Sequence, residues 1–378
     1  MKNVIISADV KKENLSEDLV CLSSSHVIGD KTVISSGCIL GEESPVILKN
    51  CQLGRNVRLK GGYFTNAIFL DGSSAGAGAH IRAGTILEEE SSLAHTVGLK
   101  ESIFFPFVKS GSLVNFCDVF ISGGSSNENH SEIGSSYVHF NYTPNQDKAT
   151  PSMFGDVARG VFLRENPIFL GGQGGAVGPI KVGYGNVISA GSILRNNYLE
   201  ENRLISVEAA RSFEKKIIRP RYNNTSVKIF NNLSYIGNLF ALISWYQHIR
   251  KRCVRDRYDE KIYNSVVKSL EASVSLRIKQ LDVFYKKILL SHRRKECLDV
   301  NPEELQYQEK FINQWRHIKD LIILPETNPP KELFKNYSPE NNYLLTTQSL
   351  TNQSIEVGID WLSSIVMKIE KLSDNFYV

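Results

Sequence analysis

The chain has 378 residues, 42% of them apolar and 22% charged, with a formal net charge of +4. That apolar content excludes a disordered chain, and the length allows two domains with a sizeable core. The charge is too mild to imply a nucleic-acid partner, and no run of about 20 apolar residues offers a membrane span.

No signal-peptide apolar region follows Met1, because Lys11 and Lys12 cut the first alternating segment short. Cys21, Cys38, Cys51, Cys117, Cys253 and Cys297 include no C-x-x-C pair. Buried thiols in a reducing cytoplasm are expected, and zinc is not. The histidines His26, His80 and His95 lack the spacing of a three-histidine metal site, so no metal ligands are assigned.

Single aliphatic residues then recur at a spacing of six. Ile28, Ile34 and Leu40 form one run, and Leu53 and Leu59 another. Ile81, Leu87, Leu93, Leu99 and Phe105 form the longest run, continued by Val108, Val114 and Phe120 and closed by Val182, Ile188 and Leu194. A period of six fits neither a helix nor an alternating strand. It predicts a left-handed parallel β-helix of hexapeptide repeats over residues 1–206, with one inward aliphatic on each side of a triangular prism. A polar insertion at about 121–175 interrupts it, carrying Gly123-Gly124-Ser125 and Thr143-Pro144-Asn145. Loops projecting from a rigid scaffold are common sites of function.

Near residue 207 glycine nearly vanishes and helical periodicity begins, so 207–378 is expected to be an α-helical extension. Ile229 to Ile249 is apolar but contains Asn, Gln and His, which predicts a buried helix rather than a span. Tyr258 to Leu290 repeats apolar residues at about 3.6. Asn301-Pro302-Glu303-Glu304 is a helix start with its cap, N1 proline and acidic first turn. Pro329-Pro330 marks a linker before an amphipathic segment from Ser354 to Ser373.

Several strings within 114–192 stand in recognisable order: Val114-Asn115-Phe116, Ile133-Gly134-Ser135, His139-Phe140-Asn141-Tyr142, Lys148-Ala149-Thr150, Gly155-Asp156-Val157, Gly171 to Pro179, and Val182 to Ser192. Together they resemble the acetyltransferase half of the bifunctional bacterial enzyme that makes UDP-N-acetylglucosamine, a hexapeptide-repeat acyltransferase. The resemblance implies acetyl-CoA as donor with no metal, an amino sugar or sugar nucleotide as acceptor, and a homotrimer. It does not extend to the helical part.

Such transfer needs a general base and a donor for the oxyanion. His130, in Asn129-His130-Ser131-Glu132-Ile133-Gly134, and His139 are the two candidate bases, with Asp118 to orient either. The resemblance implies acceptor contacts at Asn115, Asn141, Tyr142 and Lys148. It places the coenzyme along Gly172, Gly174, Gly175 and Ala190, with Arg219 of the basic run 211–221 on its phosphates. A plain turn would also account for Gly174 and Gly175.

The departures carry information too. No Gly-rich loop ending in Thr-Arg stands near the N-terminus, so uridylyltransferase activity is not expected. Phe105 and Phe120 stand where the family places basic residues on its phosphorylated substrate. Those positions, with Gly172 in place of a serine, keep a second reading open: a non-catalytic sugar-nucleotide-binding or assembly module on the same scaffold.

Overall fold

A computed structural model describes residues 4–138, 150–209, 211–212, 214, 222–294, 300–335, 337, 339 and 342–376. Up to residue 205 the chain winds as a parallel β-solenoid, as the repeat predicts. All of its described strand pairings are parallel, and a residue's partner stands one coil further along the chain. The third face of the prism is a ten-stranded sheet running from Val20–Cys21 to Leu204–Ile205. The first face begins with Val4–Ile6 and Ser25–Ile28, the second with Val33–Ile34 and Gln52–Leu53. These two faces merge into one sheet because Gly98–Phe104 and Asn115–Ile121 run across the edge between them unbroken. We call the edge between the first and second faces the first edge, that between the second and third the second edge, and that between the third and first the third edge.

The inward columns show where the period of six holds and where it slips. Ile81, Leu99 and Phe116 stack in register inside the first face. On the second face Leu87 pairs with Phe104, not Phe105, and Phe104 with Ile121, not Phe120. Similarly, Phe116 and Ser110 take the inner places that the spacing assigns to Val114 and Val108. The cause is a tighter corner: like the third and fourth coils at Asn50 and Asn66, these two coils turn the first edge with one residue fewer than the fifth, through Glu101 at φ 51° and Asp118 at φ 58°. Left-handed backbone costs a residue with a side chain roughly 1–2 kcal/mol, so packing from outside must hold both.

That packing comes from the helices. They are α1 (Val157–Gly160), α2 (Thr225–His248), α3 (Arg257–Arg293), α4 (Pro302–Asp320), α5 (Tyr343–Gln348) and α6 (Asn352–Glu370). The outer column of the second face reads Val33, Gln52, Ile68, Ile86, Ile103, Phe120 and Met153, apolar but for Gln52 and each at most 6% exposed. Helix α3 covers the early rungs of this face and α2 the late ones. Burying each apolar side chain of the column contributes about 1.5–3 kcal/mol. Lys261 of α3 bonds Asn14 in the first coil, and Arg277 bonds Glu101 in the sixth. Sixteen helical residues rise about 24 Å and five rungs span about 24 Å, so α3 runs along the prism axis.

Helix α2 is buried on nearly every side, which explains its polar residues. Asn231 Nδ2 donates to Pro179 O at 3.0 Å, and Asn238 Oδ1 accepts from Val157 N at 2.9 Å. Among the described residues no helix is long and apolar enough to cross a membrane. The start of α4 is as the sequence indicates: Asn301 Oδ1 accepts from Glu303 N, with Pro302 in the first turn.

One buried ion cluster joins the two parts. Arg250 is 0% exposed, bonds both oxygens of Glu89, lies 3.0 Å from Glu88 and sits over the Tyr343 ring. Burial pushes the Glu88 carboxyl up to about 7, because Arg250 divides its charge between two carboxylates. A carboxyl with a raised folded pKa binds its proton more tightly than the unfolded chain does. Stability from this group is therefore present below pH 5 and lost as pH rises through about 7. Glu88→Gln is expected to flatten the fall in Tm between pH 5.5 and 8, a contribution of at most about 3 kcal/mol. An unchanged Tm slope in the variant assigns the pH dependence to other groups.

Candidate active site

Along the first face the outward residues stack in register as Tyr63, His80, Gly98, Asn115, Tyr137 and Gly175. Gly98 carries no side chain, so the column opens there into a groove of about 480 Å³, with His80 and Arg82 on one wall and Asn115 and Tyr137 on the other. The Tyr63 ring stands edge-on to His80 at 5.3 Å, and Arg82 Nη2 donates to Cys117 Sγ at 3.9 Å. Burial, with Asp118 second, pushes the Cys117 thiol up. The sequence reading missed His80, Arg82 and Tyr137 as site residues. Their signal was available: each directly flanks an inward residue of the first face, Ile81 or Val138, so strand alternation turns it outward.

The third edge borders this groove and carries the glycine-rich string. A Cβ on Gly174 would lie 2.3 Å from Ser192 O, and one on Gly175 would lie 1.9 Å from Tyr137 O. Coil stacking alone demands glycine at both. At Gly172 a Cβ would meet nothing closer than 3.5 Å, and Ala190 is exposed one coil further on. The edge is therefore shallow at 172 and 190 without structural need, leaving room for a chain to lie along it.

His130 stands on the second edge. The described insertion is two excursions on that edge, 122–131 and 155–168, separated by solenoid strands and by residues 139–149. Ser131 ties them together: its Oγ donates to Ser122 O and accepts from Ile168 N, both at 2.8 Å. Gln348, at the end of α5, donates to Ser125 O at 2.6 Å and pins the loop from outside. His130 Nδ1 lies 2.8 Å from Asn127 O. A carbonyl only accepts, so Nδ1 carries a proton, and it is Nε2 that bears the lone pair in the neutral ring. The half-buried ring is thereby held in the tautomer a general base requires.

Asp118 lies on the first edge, away from His130. Its carboxylate accepts from Arg277 Nη2 at 3.1 Å and from Thr150 Oγ1 at 3.3 Å. Burial, reinforced by Asp118, pushes the neighbouring Glu101 up to about 7. His139, Asn141, Tyr142, Lys148 and Arg219 lie outside the described residues. Phe105 and Phe120 are buried beside the helices, edge to face at 4.7 Å. The string Gly155-Asp156-Val157 has a structural account: Asp156 caps α1, and Gly155 at φ 81° lets Tyr184 approach. Among the described residues no group of three or more His, Cys, Asp or Glu is placed to hold a metal ion.

No protein-family profile matches the chain. Relatives are found among bacterial proteins named bifunctional protein GlmU. That of Thermotoga petrophila is 27% identical over 167 residues, 44% of this chain and 33% of the relative. That of Geotalea uraniireducens is 27% identical over 179 residues, 47% of this chain and 35% of the relative. That of Shouchella clausii is 24% identical over 210 residues, 56% of this chain and 40% of the relative. The chain thus spans about a third to two fifths of the length of the curated relatives it matches.

Proposed function

We propose that the chain is a coenzyme-A-dependent acyltransferase that moves an acetyl group from acetyl-CoA to the amine of an amino sugar or sugar nucleotide, and that it works as a homotrimer. One observation carries the reading. His130 and Asn115 belong to the same coil but stand on the second edge and the first face, so within one prism they do not meet. Among the described residues the helices cover the second face and leave the first and third open. Both open faces expose apolar residues, Tyr63, Tyr137 and Ile193 on one and Phe169, Val187 and Leu204 on the other. Setting the third face of one prism against the first face of the next, in level register, brings His130 of one copy opposite Asn115 of its neighbour.

In that cleft His130 Nε2 takes the proton as the acceptor amine attacks the thioester carbonyl. The new C–N bond forms, the C–S bond breaks, and the imidazolium returns the proton to the departing thiolate. Asn115 and Tyr137 hold the sugar, together with Asn141, Tyr142 and Lys148 of the undescribed residues. Gly172 and Ala190 border the path of the coenzyme, and Arg219 meets its phosphates. The likeness to bifunctional GlmU supports acetyl transfer within a sugar-nucleotide pathway, and the five described cysteines, all free, suit a reducing cytoplasm.

Thiol release from acetyl-CoA with glucosamine, glucosamine 1-phosphate and a UDP-linked amino sugar tests this. Acceptor-dependent release is expected, with acetyl-CoA raising Tm by mass action. Burial of Phe105 and Phe120 where the resemblance has basic residues favours the second reading, a non-catalytic sugar-nucleotide-binding or assembly module. Stabilisation by UDP-N-acetylglucosamine, with none by millimolar acetyl-CoA and no thiol release, would replace the first reading with it.

A further inference from the structure

Helix α3 is clamped to the first edge of the prism at two points. Lys261 Nζ donates to Asn14 Oδ1 at 2.6 Å in the first coil, and Arg277 Nη2 donates to Glu101 Oε2 at 2.8 Å in the sixth. Between the clamps lies a slot of about 730 Å³, larger than the groove of the first face. Close packing is the default where a helix meets a sheet, so a space of this size needs a reason.

The walls of the slot are mixed on both sides. The solenoid gives Asn50, Gln52 and Asn66 beside Val33 and Ile68, and α3 gives Ser265, Ser269 and Ser273 beside Ala272 and Leu276, so polar groups and the apolar faces a sugar ring can lie on alternate. Among the described residues no hydrogen bond or ion pair crosses from α3 to the edge between the two clamps. Ser265 and Ser273 instead donate to carbonyls one turn back in their own helix. Polar groups that face each other without bonding suit an occupant with many hydroxyls of its own.

Charge is distributed unevenly along the slot. Lys11, Lys31 and Lys261 gather at the end near the first two coils, with Asp30 the one acid among them, Lys268 follows two turns further along α3, and Glu101 stands at the far end. Lys31 and Lys268 are exposed and free to turn towards an anion, and their ammonium groups bind phosphate as point charges.

We propose that this slot binds a phosphorylated sugar, its phosphate among Lys31, Lys261 and Lys268 and its hydroxyls along Asn50, Asn66 and the α3 serines. The site is separate from the transfer cleft, since it lies on the first edge under α3. Its occupant bridges the solenoid and the helices, which makes the helical part responsive to a sugar phosphate.

Titration of the full chain with glucose 1-phosphate, inorganic phosphate and glucose tests the proposal. Calorimetry is expected to show glucose 1-phosphate binding more tightly than either fragment. The exposed pair Lys31→Ala with Lys268→Ala is expected to weaken it roughly tenfold or more, while His130→Ala leaves it unchanged. Lack of glucose 1-phosphate binding up to about 10 mM overturns the proposal. So does equal binding by the double lysine variant, or phosphate alone binding as tightly, which would mean a bare anion patch. None of these outcomes depends on acetyl transfer, so this proposal and the transferase reading fail separately.

Discussion

His130→Ala is expected to slow acetyl transfer by a factor of about 10² to 10⁴ with little change in the KM for acetyl-CoA, because the ring takes a proton and does not hold the coenzyme. Asn115→Ala is expected to raise the acceptor KM instead. The decisive measurement mixes the two impaired proteins at an acceptor concentration far below the raised KM, where each alone is nearly inactive. Each completed site needs His130 from one copy and Asn115 from its neighbour. Random reassortment into trimers therefore restores roughly a quarter of wild-type activity. A mixture that stays as inactive as its components, from proteins shown to exchange subunits, defeats the shared-site arrangement. Full activity in His130→Ala moves the base elsewhere, to His139 or to His80 in the first-face groove.

The second large effect concerns stability. Arg250→Met leaves Glu88 and Glu89 buried at 2% and 6% exposure without their cation, which is expected to cost about 3–5 kcal/mol in urea unfolding at pH 7.5. The loss is smaller at pH 5.5, since Glu88, pushed up to about 7, is then protonated and needs no counter-ion. Adding Glu88→Gln and Glu89→Gln to the variant is expected to recover much of the loss by removing the stranded charges. A cost below about 1 kcal/mol for Arg250→Met would mean that the apolar column alone holds the helices to the second face.

Much of the fold was legible because its repeat is local. An inward aliphatic every six residues describes one side of the prism, and nothing distant is needed to see it. The helix start at Asn301 is equally local, set by a cap and the residues just after it. The slips from Phe105 to Phe104 and from Phe120 to Ile121 were not legible, because they depend on the left-handed residues Glu101 and Asp118 respectively, both bonded to Arg277 from a helix about 160–176 positions away.

By itself the sequence determined a coiled β-scaffold to about residue 206, helices after it, and the glycine-rich and histidine-bearing strings that resemble an acetyltransferase. Only the tertiary structure decided which face the helices cover, and hence that Asp118 serves Arg277, that Phe105 and Phe120 are core, and that His80 and Arg82 line a groove. The physical reason is that coil-to-coil stacking is dictated by neighbours in the chain, whereas the covering of one prism face depends on long-range burial. An outward apolar residue looks the same in sequence whether a helix, a second prism or water lies against it.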